Sequence, residues 1–153
     1  MRLVLAAFLL ILGGHACIAG ARCPARDASF NAFFARFQQD STFRLDRVEW
    51  PLRSIDTDAE GKVTRRRESR DWALKMEHQG LPLISPTTPV ADCLTDDTVP
   101  RTEARYCSHV EYVTNNRASV MVNSYGAPGN IEWYRFRNRG GCWYLVEVAG
   151  ITN

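Results

Sequence analysis

The sequence lacks the motifs that name a reaction. It has no Gly-x-Ser-x-Gly nucleophile turn, no phosphate-binding glycine loop and no dinucleotide fingerprint. Histidine is scarce, with only His15, His78 and His109. The cysteines are dispersed with no Cys-x-x-Cys pair, and no histidine stands at ligand spacing from them, so neither a zinc site nor a cofactor is expected. Neither sign of charge dominates. Without Arg2, 18 basic side chains face 17 acidic ones, a balance that speaks against nucleic-acid binding and against strong membrane attraction. Beyond residues 3–12 no hydrophobic run approaches the roughly 20 residues of a membrane helix, so no stable membrane insertion is expected.

What is present begins with an export signal. Met1-Arg2 is a minimal basic start, residues 3–12 are uninterruptedly apolar, and Ala19-Gly20-Ala21 is a small-x-small cleavage pattern. Residues 1–21 therefore read as a signal peptide and residues 22–153 as one domain, exported to a periplasm or secreted. The alternative is a lipid anchor on Cys17. It would want a leucine-like residue three positions earlier, where Gly14 stands. Cleavage removes Cys17 and leaves Cys23, Cys93, Cys107 and Cys142, an even number that predicts two disulfides with three pairings open. We favour Cys93 with Cys107, which would tie down a turn-rich excursion, leaving Cys23 to join Cys142.

Residue periodicity predicts an α+β domain: an N-terminal helix packed on a curved antiparallel sheet. Phe30, Phe33, Phe34 and Phe37 fall on one helical face between an Asp27 N-cap and about Gln39. A core role for that stripe outweighs a ligand box. Residues 43–52 predict a first strand, with a phase change near Asp46-Arg47 and an edge or end at Pro51. Residues 56–61 form a turn resembling the start of a calcium loop, but its twelfth position is Arg67 where a glutamate is needed. Residues 62–74 predict a charged edge strand carrying Arg65-Arg66-Arg67. A short helical turn over 75–79 and a proline-rich irregular region over 81–103 follow. Strands are then expected over 104–113 and 118–125. A closing hairpin has Asn138-Arg139-Gly140-Gly141 as its turn and the rings of Trp133 and Trp143 in its arms.

Two of these stretches carry a likeness. The aromatic helix ending in Asp40, followed by Trp50-Pro51-Leu52, and the closing Gly141-Cys142-Trp143-Tyr144-Leu145 resemble the opening and the end of a family of exported bacterial domains of unknown function. That family is similar to the nuclear-transport-factor-2-like, or cystatin-like cone, fold. The resemblance implies a curved antiparallel sheet wrapped around helices to enclose an apolar pocket. It brings no catalytic residues, and this sequence departs from it in showing one long helix where three are usual.

Function is less legible. Asp46, Tyr106, His109 and Tyr112 are the residues from which an isomerase or dehydratase could assemble a carboxylate or histidine opposite a tyrosine. A structural role for His109 outweighs that reading, because its neighbour Ser108 must point to the opposite face. His78 beside Glu77 reads as solvated. The leading expectation is a non-enzymatic domain that binds a protein or a small apolar ligand. The alternatives are a small-molecule isomerase or lyase using the cone pocket, and an immunity protein against a secreted toxin.

Overall fold

The computed structural model describes residues 23, 27, 29–89, 93, 105–125 and 130–151. The expected signal peptide with Cys17, most of the proline-rich excursion and the turn at 126–129 lie outside them. Two aromatic helices come first: α1 (Phe30–Gln39) and α2 (Ser41–Asp46). Strands β1 (Val48–Thr57) and β2 (Val63–Glu68) follow, then α3 (Arg70–His78) and the two-residue β3 (Thr88–Pro89). Four long strands close the chain: β4 (Arg105–Val113), β5 (Arg117–Tyr125), β6 (Ile131–Arg139) and β7 (Cys142–Ile151). All seven strands join one curved, open sheet in the order β2-β1-β7-β6-β5-β4-β3.

The α+β class and the helix-on-sheet packing are as expected. The sheet, however, is mixed rather than wholly antiparallel, because β1 runs parallel to β7 and β3 runs parallel to β4. The first long strand lies beside the last one, so the chain's two halves share one surface.

Local chemistry explains where the elements differ from expectation. Ser29, not Asp27, caps α1, its hydroxyl accepting from the Ala32 amide at 3.3 Å. Asp40 ends one helix and starts another. Its backbone N–H donates to the Arg36 carbonyl at 2.9 Å, while its carboxylate accepts from the Phe43 amide at 2.9 Å. That amide bond, helped by Arg36, holds the Asp40 carboxyl below the usual carboxylate range. Residues 41–46 are therefore helical, and the phase change near Asp46 marks the helix end, not a bulge in a strand. Ser69 caps α3 in the same way, accepting from the Trp72 amide at 3.2 Å. The expected charged strand thus stops at Glu68, and Trp72 sits on a helix. Three helices, not one, stand among the described residues. Pro51 lies inside β1 rather than at its end. It is tolerated because β2 pairs only from Leu52 onward and the β7 ladder shifts register between Val48 and Arg53, so no donor is missed there.

The core is the aromatic face of α1 against β6 and β7. The Phe136 ring lies 5.3–5.9 Å from the rings of Phe30, Phe33, Phe34 and Phe37, mostly edge to face. Trp143 closes the layer against Phe30 at 5.1 Å. Gly140 and Gly141, at φ +59° and +85°, form the tight β6–β7 turn that only glycine-like backbone accepts readily. Disulfides join Cys23 to Cys142 and Cys93 to Cys107, the favoured pairing. Arg44, which strand periodicity had not marked as buried, is 4% exposed and forms a two-pronged bond with Glu77 on α3 at 2.7 and 3.1 Å. It also donates to the carbonyls of Phe37 and Gln38, so one guanidinium ties all three helices together.

Candidate functional site

The rings of α1 fill one end of the sheet's inner face. The other end stays open. There a cleft of about 290 Å³ lies between the sheet and the segment formed by α3 and residues 81–83. Strand register dictates its floor. Ser54, Val148 and Tyr134 form one row across β1, β7 and β6, and Asp56, Gly150 and Glu132 form the next. Residues paired across strands point to the same side, so both rows face the cleft. Leu52 makes the deep wall, Trp72 and Met76 of α3 with Leu81 and Leu83 make the outer wall, and Arg66 and Glu68 of β2 stand at the edge.

Four ionisable groups besides a tyrosine converge on this space. Tyr134 is 3% exposed and its hydroxyl donates a hydrogen bond to Glu132. Burial first, then the Glu132 charge and that bond, push the tyrosine pKa well above its ordinary value, so the hydroxyl remains a donor. Arg66 reaches Asp56 at 3.6 Å. Three carboxylates thus face one guanidinium on a lining that is otherwise apolar save for Ser54 and Tyr134. Such a site can hold a small molecule by its apolar part and orient it through the carboxylates.

The opposite face of the sheet has the reverse charge. Arg53 lies across from Arg67, and Arg117 across from Arg137. Glu147 is 5% exposed beneath Arg135 and Arg53, the latter at 3.1 Å. The basic triplet splits as strand alternation requires, with Arg66 on the cleft side and Arg65 and Arg67 on the other.

None of the residues singled out from the sequence lines this cleft, although Tyr106 stands near enough to Tyr134 to add to the rise of its pKa. Asp46 ends α2 in an exposed ion pair with Arg70 at 2.7 Å. Tyr106, His109 and Tyr112 are exposed on β4, toward the far edge of the sheet. His109 borders a more open groove between α1 and β4, where it is the one titratable lining residue. The Asp58–Gly61 turn is closed by its own chain: Asp58 accepts from the Lys62 amide at 2.8 Å. Among the described residues no three His, Cys, Asp or Glu side chains group as metal ligands, and no helix is long and apolar enough to cross a membrane. The cleft residues Asp56, Glu132 and Tyr134 left one trace in the sequence. Glu132 and Tyr134 stand two apart in a strand and so share a face.

No family model matches the chain, and no curated protein matches it. Solved structures do. An NTF2-like protein from Bacteroides fragilis matches 81% of this chain with a TM-score of 0.50 at 15% identity, and the chain spans 47% of that protein's length. An NTF2-like protein from Cytophaga hutchinsonii matches 86% of this chain and 100% of its own, at 10% identity and a TM-score of 0.46. An NTF2-like protein of unknown function from Shewanella baltica matches 78% and 83%, at 16% identity and 0.41. At these identities the likeness concerns the fold alone, which is NTF2-like, in line with the resemblance seen in the sequence.

Proposed function

Starting from the NTF2-like fold, we propose that this is an exported binding domain whose open cleft takes a small organic ligand. The observation that carries the reading is the cleft itself, apolar at Leu52, Met76, Leu83 and Val148 and polar at Tyr134, Glu132 and Asp56. Its volume, about 290 Å³, sits at the bottom of the roughly 300–1,000 Å³ range of small-molecule pockets. A compact ligand suits it better than a lipid or a protein loop. The two disulfides support an oxidising compartment, and with it the export reading. A second reading, a small-molecule isomerase or lyase, is favoured by the Tyr134–Glu132 pair, since a carboxylate beside a neutral tyrosine can move a proton.

The binding reading is tested by thermal denaturation against a library of compact organic molecules, on the wild type and on Val148→Phe, which fills the cleft. At least one compound is expected to raise the wild-type midpoint by several degrees at saturating concentration and to leave the variant unmoved. A library with no hits, or hits that stabilise both proteins equally, would overturn it.

A further inference from the structure

The floor of the cleft says what kind of molecule belongs in it. The row Asp56–Gly150–Glu132 places two carboxylate-bearing strands on either side of β7. Strands two apart lie about 10 Å from each other. Acidic side chains reaching inward from both flank the space above Gly150. Gly150 keeps that space open. Its backbone is not in the left-handed region, so conformation does not demand glycine there. A Cβ on Gly150 would lie 3.8 Å from Asp56 Oδ1 and 3.9 Å from Glu132 Cγ, in ordinary contact with both. Any larger side chain would occupy the gap between the two acids.

Charge and shape then agree. Asp56, Glu68 and Glu132 leave the lining negative after Arg66 is counted, and Arg66 already lies against Asp56. An anionic ligand would meet like charge in a partly desolvated space. A cation would meet two acceptors. Trp72, 38% exposed, stands on the outer wall, where an indole face can add a cation–π or an apolar contact. Moving inward along the sheet, the rows pass from acids through Tyr134 and Val148 to Leu52, so the polar end of a ligand is held toward the mouth and its body points inward.

We propose that the cleft recognises a small organic amine, its ammonium group held between Asp56 and Glu132 above Gly150 and its apolar body against Val148, Leu52 and Met76. This rests on the reading of the cleft as a ligand site and adds the ligand's chemical class. The test is isothermal titration with three probes of similar shape: phenethylamine, 2-phenylethanol and 3-phenylpropionate. The amine is expected to bind about tenfold or more tighter than the alcohol, the difference made by charge-assisted hydrogen bonds, and the carboxylate is expected not to bind. Glu132→Gln and, separately, the more exposed Asp56→Asn should each weaken the amine about tenfold and the alcohol by much less, about threefold at most. If alcohol and amine bind alike, or the carboxylate binds best, the amine proposal fails while the cleft reading stands. If none of the three binds, the proposal fails, and only a hit from the wider library that Val148→Phe abolishes keeps the cleft reading.

Discussion

Replacing Phe136 by alanine is expected to lower the unfolding free energy by about 3–5 kcal/mol. The ring is 1% exposed and touches all four phenylalanines of α1. Truncation removes its transfer energy and leaves a cavity whose walls are rings fixed by one another, so little collapse can refill it. A domain of this size holds only about 5–15 kcal/mol in total, so the variant should unfold early in a urea titration. Phe136→Leu keeps most of the volume and is expected to cost less than about 1.5 kcal/mol. A loss under 1 kcal/mol for the alanine variant would mean that α1 does not pack on β6 as described.

Arg44→Ala is expected to destabilise by a similar amount, about 3–5 kcal/mol, through a different cause. The substitution leaves the Glu77 carboxylate, 10% exposed, without its guanidinium, and strips donors from the Phe37 and Gln38 carbonyls. The cost is that of an abandoned buried charge more than of a lost attraction. A double variant, Arg44→Met with Glu77→Leu, should therefore recover most of the loss. A thermodynamic cycle over the two single variants and the double one measures this. Single variants that each cost under 1 kcal/mol would show the pair to be solvated.

These two residues mark what the sequence makes visible. The α1 stripe and the closing hairpin are legible because helical period, alternation and a Gly140-Gly141 turn each act over a short stretch of chain. The disulfides are legible because residues 22–153 hold an even number of cysteines and one pairing closes a short loop. Helix α2 is hidden. Its six residues are too few to show a period, and Phe43 and Leu45 alternate as well as they coil. Its cause, the double use of Asp40 as cap for two helices, is visible only once α1 is placed. The burial of Arg44 follows from α2 and was hidden with it.

The cleft is hidden for a topological reason. Asp56 and Glu132 are far apart in sequence and meet only because β1 lies parallel to β7, a pairing no local pattern announces. Residue type alone points to Asp46, Tyr106, His109 and Tyr112. The fold instead spreads them over the end of α2 and the far strand β4.

The cleft as a ligand site is tested most directly by the four indole N–H signals in a ¹⁵N-correlated NMR titration with phenethylamine. Each tryptophan reports one place. Trp72 lines the cleft; the Trp50 indole is bonded to the Leu45 carbonyl. Trp133 faces the opposite side, bonded to Glu111, and Trp143 is buried in the aromatic core. The Trp72 signal is expected to move in a saturable way while Trp133 stays still. Movement of Trp133 with Trp72 unchanged would contradict the account and place binding on the arginine-bearing face.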